Sequence, residues 1–176
     1  MSQPKFTAVV VSTIDGKIAK NSKHNVNWSS TEDKVFLRQK IAEHDVVVVG
    51  RTTFKVARKA LTKKKFSSRN YIVLTRSVKT FKKDSPQITY LNPSKVNLKK
   101  FVGDLGYKKI CVLGGTQIYS LLLKKGLIDE IYLTIEPLVF GSGLNFLDGQ
   151  LPTTIFKLIA VKKLNKSGTI LLHYKK

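Results

Sequence analysis

The chain has 176 residues, with 32 lysines and arginines against 11 aspartates and glutamates, a formal charge of +21. That length fits one domain whose core needs neither disulfides nor metals, and the single Cys111, set in an apolar run, excludes a disulfide framework and predicts a buried thiol in a reducing compartment. No apolar stretch approaches the roughly 18 residues a membrane helix needs, and residues 1–5 lead into a strand without signal-peptide architecture, so a cytoplasmic protein is expected.

Residues 6–12 read as a buried strand that leaves through Thr13-Ile14-Asp15-Gly16-Lys17 into a polar loop, residues 19–27, ending at Trp28. An amphipathic helix is expected over residues 29–43. Its start carries two overlapping capping patterns, Ser29 with Glu32 and Ser30 with Asp33, while Val35, Phe36, Gln39 and Ala42 fall near helical spacing. Residues 45–49 form a second strand and residues 52–60 a short helix; a basic loop, residues 62–68, leads to a strand over 71–74 closed by Thr75-Arg76. A short strand over 88–91, a helix opened by Pro93 and Ser94, and a strand over 109–113 continue the alternation. The next helix, 117–124, is closed by Gly126 as C-cap, and a strand over 130–135 ends at Glu136-Pro137. Residues 155–164 and 169–174 then flank only Asn165-Lys166-Ser167-Gly168, which predicts a hairpin. The economical architecture is a single three-layer α/β domain over residues 1–176. Its mainly parallel central sheet is flanked by helices and ends in an antiparallel C-terminal hairpin.

Two stretches, residues 46–54 and 110–119, each read as a buried strand turning through glycine into a helix. Glycine there lets the backbone turn and approach a ligand, and the helix start aims its N–H groups and dipole at the same spot, which suits an anionic cofactor. Neither stretch is a longer nucleotide fingerprint: Gly114-Gly115 lacks a third glycine, and no glycine-rich run ends in Gly-Lys-Ser or Gly-Lys-Thr. The lysine clusters are scattered over loops and element ends. Nucleic acid is therefore expected only as a weak, nonspecific partner through counterion release, and a lysine-biased proteome explains the charge equally well. His24, His44 and His173 form no ligand set or triad, so no metal site is expected.

The order of motifs resembles the dihydrofolate-reductase-like superfamily, in particular the reductase domain of riboflavin biosynthesis. Residues 12–19, Ser-Thr-Ile-Asp-Gly-Lys-Ile-Ala, and Phe140-Gly141-Ser142-Gly143 after Pro137 resemble the riboflavin reductase pattern. Gly50-Arg51-Thr52-Thr53-Phe54 and Gly115-Thr116-Gln117-Ile118-Tyr119 are more similar to dihydrofolate reductases. The resemblance implies a homodimeric, NADPH-dependent reductase that moves hydride to a phosphorylated ribosylamino-pyrimidine, with dihydrofolate or another pterin as the alternative substrate. A basic nucleic-acid-binding protein on the same fold is an alternative from another class.

Under this resemblance Gly50, Arg51 and Thr52 present N–H groups and a cation to one part of the pyrophosphate, and Gly114, Gly115, Thr116 and Gln117 cradle the other. Arg76, following Thr75, either reads the adenosine 2′-phosphate or is an ordinary solvated arginine. The protein must also supply a proton, and the candidate acids are Asp15, Glu32 and Asp33. In dihydrofolate reductases an acidic residue on the first helix binds the pterin; Glu32 or Asp33 is similar in place, and both equally suit helix capping. Asp15 resembles the aspartate of the riboflavin reductase loop, or serves only an Asp-Gly turn. Ser12, Trp28, Thr134 and Glu136 are expected around the substrate, beneath the loop joining Ser12 to Trp28. A core role for Trp28 and a lysine partner for Glu136 are the alternatives.

Overall fold

The computed structural model describes residues 3–24, 27–61 and 69–176, so the expected basic loop at 62–68 lies outside the described residues. In chain order the elements are β1 (Lys5–Thr13), β2 (Lys17–Ala19), α1 (Thr31–Glu43), β3 (Val46–Gly50), α2 (Arg51–Leu61), β4 (Asn70–Leu74), β5 (Phe81–Lys83) and β6 (Ile88–Leu91). They continue with α3 (Leu98–Asp104), β7 (Lys109–Val112), α4 (Thr116–Lys124), β8 (Ile128–Glu136), β9 (Leu144–Asn145), β10 (Lys157–Lys163) and β11 (Ile170–Lys175). Nine strands form one sheet in the order β10-β11-β8-β1-β7-β3-β4-β6-β5, and β2 pairs with β9 apart from it. Strands β8, β1, β7, β3, β4 and β6 run parallel; β5, β11 and β10 are antiparallel to their neighbours. This is the expected α/β architecture.

Continuous apolar runs such as Val46-Val47-Val48-Val49 suit strands covered on both faces, and every residue of β3 is buried. One face packs Ala8, Val10, Val48, Ile110 and Val112 against Leu98, Val102, Tyr119 and Leu122 of α3 and α4. The other packs Val9, Val47, Val49 and Cys111 with Ile41 and Phe54 of α1 and α2. The Cys111 thiol is fully buried, and burial pushes its pKa up to about 12, so it is an inert packing group. Gly126 closes α4 as expected, with positive φ and its N–H donating to Leu123 O at 2.9 Å.

Three local expectations are corrected. Pro93 and Ser94 open a turn built on Asn92, and α3 starts only at Leu98, where the Asn97 side chain accepts from Lys100 N. The loop after β1 and the one after β8 contain β2 and β9, strands too short to show a period. Helix α1 begins at Thr31 with Ser30 as N-cap, and Val35, Gln39 and Ala42 are exposed while Asp33 and Ile41 are buried. The reason for this phase is β8. Its face toward α1 is polar, with Glu130, Thr134 and Glu136 buried and Tyr132 half-buried, so α1 turns polar groups inward as well as apolar ones.

Candidate active site

Because the central strands are parallel, Ser12, Gly50, Leu74, Val112 and Thr134 bring their chain ends to one edge of the sheet, where α1, α2 and α4 begin. Ligands of open α/β sheets bind outside such carboxyl ends. The two glycine turns meet there directly. Gly50 N donates to Gly114 O at 2.7 Å, and Leu113 N donates to Val48 O at 3.0 Å.

These glycines answer to the chain's own packing rather than to an approaching ligand. A Cβ on Gly50 would lie 2.8 Å from Ile118 Cγ1, and one on Gly114, whose φ is +76°, would lie 2.1 Å from Tyr119 Cε2. The Tyr119 ring is itself fixed, its hydroxyl donating to Val9 O at 2.7 Å. What faces the edge is the first turn of α4, whose N-cap Gly115 follows the cis Gly114–Gly115 peptide and offers no side-chain cap, a helix start that suits an anion. The Thr116 hydroxyl is already used, donating to Asn145 O at 2.5 Å, whereas Gln117, Arg51 and Thr52 are exposed. Thr75 Oγ1 accepts from Ser77 N at 3.2 Å, and this small turn presents Arg76 to solvent. Among the described residues no carboxylate pairs with Arg51 or Arg76. The residues present thus fit a pyrophosphate and a further phosphate.

The wall beside this edge consists of two loops tied together. Asp15 accepts from Thr13 Oγ1 at 2.5 Å, from Phe140 N at 3.2 Å and from Gly141 N at 2.9 Å. The Thr13 hydroxyl, together with those amides, holds the Asp15 carboxyl below its ordinary value. Ile14 N donates to Leu138 O, Phe146 N donates to Gly16 O, and β2 pairs with β9. Trp28 stands edge-on to Phe140, ring centroids 5.0 Å apart, with its Nε1 buried and unpartnered among the described residues. Lys20 Nζ lies 5.1 Å from the Phe140 ring centroid on the same wall. Ser12 is buried at the end of β1.

The acidic residues divide by environment. Glu32 is exposed; its own backbone N–H, then the Asn165 side chain at 3.2 Å, lower its pKa. Asp33 is 5% exposed, hydrogen-bonded to the side chains of Thr134 and Ser29. Burial raises its pKa, and the neighbouring Glu136 charge adds to the rise. Glu136, also buried, accepts from Ser30 N and from Thr169 Oγ1, both at 2.7 Å. Of the three candidate acids, Asp33 alone is buried with its pKa raised, whereas those of Asp15 and Glu32 are lowered. Sequence reasoning gave Ser29 only a capping role and Asn165 only a turn, and did not single out Thr169; the Glu136 to Thr169 contact spans 33 residues and leaves no local spacing to find.

A cavity of about 160 Å³ lies at the opposite, amino edge, lined in part by Lys5, Lys40, Glu43, Glu130 and Tyr132. Its carboxylates are paired: Lys5 binds Glu130 at 2.7 Å and Lys40 binds Glu43 at 2.8 Å. Among the described residues no helix begins there.

The mainly parallel sheet with its antiparallel C-terminal strands is that of a dihydrofolate-reductase-like fold. Residues 4–170 match the family model described as the RibD C-terminal domain. The chain belongs to that family. It is 24% identical over 133 residues to the uncharacterized protein YwjB of Bacillus subtilis (strain 168), covering 74% of this chain and 72% of that one. It superposes on a pyrimidine reductase-like protein from Corynebacterium diphtheriae with a TM-score of 0.73 at 18% identity, covering 98% of this chain and 91% of the other. The fold is shared equally with dihydrofolate reductase from Enterococcus faecalis, solved with NADP(H), at a TM-score of 0.71 and 17% identity over 99% and 97% of the two chains.

Proposed function

We propose that the chain is an NADPH-dependent reductase of the riboflavin-pathway type, acting on a phosphorylated ribosylamino-pyrimidine. The observation that carries the reading is Asp33, a buried carboxyl hydrogen-bonded to Thr134, its pKa raised by burial, on the edge where α2 and α4 begin. Bound NADPH supplies the hydride. Arg51, Thr52 and the first-turn N–H groups of α4 hold its pyrophosphate, and Arg76 binds the 2′-phosphate. Asp33 holds the proton and hydrogen-bonds the amino-oxo edge of the pyrimidine ring, with Thr134 fixing its orientation. The orphan Trp28 Nε1 donates to a polar atom of the substrate, Lys20 attracts its phosphate, and the loop braced at Ile14, Asp15 and Gly16 excludes water. Asp15 and Glu32, both held ionised, act as braces.

Reduction of dihydrofolate or another pterin is the second reading, favoured by the place of Asp33 on the first helix and by a ring edge of the same chemistry. A homodimer is part of the proposal: β10 is an outer strand, exposed throughout, with Leu158, Ile159 and Val161 uncovered. So is a cytoplasmic site of action; no described helix is long and apolar enough to cross a membrane. The test is NADPH oxidation, followed by nicotinamide absorbance, with the diamino-ribosylamino-pyrimidinone phosphate and with dihydrofolate. Turnover of the first supports the proposal, and turnover of dihydrofolate alone assigns the second reading. Turnover of neither, with salt-dependent RNA or DNA binding in its place, overturns both.

A further inference from the structure

We propose that Glu136, held by Thr169, makes the turn of the C-terminal hairpin a positioning element for the Asp33 acid. The proposal rests on the reading of Asp33 as the proton-holding group. Glu136 is 4% exposed and Thr169 is fully buried. Each Glu136 oxygen has its own partner: Ser30 N–H donates to Oε1, and the Thr169 hydroxyl donates to Oε2, both at 2.7 Å. Among the described residues no lysine, arginine or histidine pairs with it.

The contact reaches Asp33 along a continuous path. Thr169 donates to Glu136, Ser30 N donates to Glu136, and Ser30 Oγ, the N-cap of α1, accepts from the backbone N–H of Asp33 at 3.2 Å. Asn165 fixes the turn itself, accepting from Thr169 N at 3.1 Å while its amide donates to Thr169 Oγ1 at 2.9 Å and to Glu32 at 3.2 Å. The hairpin turn thereby reaches the start of α1 by two routes, directly at Glu32 and through Glu136 of β8 at the N–H of the N-cap Ser30. Charged or titratable groups facing Asp33 are Glu136 from β8, Lys34 from α1 and the Tyr119 phenol from α4. Of these, Glu136 opposes ionisation of Asp33, and Lys34 favours it. Glu136 thus acts through Asp33 and not on the substrate, which differs from the substrate contact expected of it from sequence.

The test is a carbon-13 NMR titration of the Asp33 carboxyl in the full chain, with the pH profile of kcat beside it. In Glu136→Gln the midpoint should fall by about one pH unit, because a neutral amide no longer opposes the Asp33 charge. The alkaline limb of the kcat profile should move down with it. Thr169→Val should move the midpoint the same way, through loss of the hydroxyl that holds the carboxylate in place, and Thr169→Ser should restore it. An unmoved midpoint in Glu136→Gln overturns the inference; if that variant does not fold, an unmoved midpoint in Thr169→Val does so. The NMR midpoint is readable without turnover, so failure of the reductase reading leaves this result distinct.

Discussion

Strand β8 buries a glutamate beneath α1 at each end, and the two ends behave oppositely. At the amino end Glu130 meets Lys5 at 2.7 Å, His173, and Lys175 at 3.7 Å, and His173 stacks on Tyr132 at 4.1 Å. Lys5 and His173 hold Glu130 below its ordinary value against the opposing effect of burial. At the carboxyl end Glu136 has only hydrogen bonds, and its neighbour Asp33 is pushed above its ordinary value. Strand, helix and residue class are the same. The supply of cations decides which end holds a lowered carboxyl and which a raised one.

The largest contrast is expected in turnover. Asp33→Asn should lower kcat by roughly 10²- to 10⁴-fold, the usual contribution of a positioned acid, whereas Glu130→Gln should leave kcat within about threefold. Steady-state NADPH oxidation reads both, and similar losses in the two variants would erase the distinction between the ends. Next in size is cofactor choice at the carboxyl edge. Arg76→Ala should weaken NADPH by about 10- to 100-fold and leave NADH nearly unchanged, because only NADPH offers the 2′-phosphate. Equal loss for both would make Arg76 an ordinary surface residue.

Stability should separate the two ends by sign. Glu130→Gln should cost about 1–2 kcal/mol near neutral pH, less than a fully buried pair because Lys5 and Lys175 are half-exposed. The Glu130 pKa is depressed below 4.5 in the folded chain, so its contribution is present above that value and is lost as pH falls through the folded pKa. Asp33 runs the other way. Its folded pKa lies above the unfolded 3.8, so the native state binds more protons in that window and stability falls as pH rises through it. Asp33→Asn should therefore gain about 1 kcal/mol near neutral pH, a gain that vanishes toward pH 3.8 in denaturant melts. A loss at every pH would show that the carboxyl is retained for stability.

The sequence carried the parallel sheet, both glycine turns and the terminal hairpin, since apolar runs, glycine and turn residues mark them locally. It also brought Ser12, Trp28, Gly50, Arg76, Gly115 and Asp33 to one reading of one edge. It did not separate the environment of Asp33 from those of Asp15 and Glu32, because these depend on burial and on partners from β8, the loop after β8 and the hairpin. The phase of α1 was hidden for a related reason: hydrophobic spacing favoured Val35 and Ala42, but the polar face of β8 draws in Asp33 and Lys40. Gly50 and Gly114 were legible as turns, and only the neighbouring Ile118 and Tyr119 reveal that packing demands them.

The most direct measurement is a titration of the chain with NADPH and with NADH, followed by fluorescence of Trp28, its only tryptophan. Saturable quenching that favours NADPH, and that survives Glu130→Gln, is the result expected of a reductase site at the carboxyl edge. Absence of binding by both cofactors, or binding lost with Glu130, would contradict it.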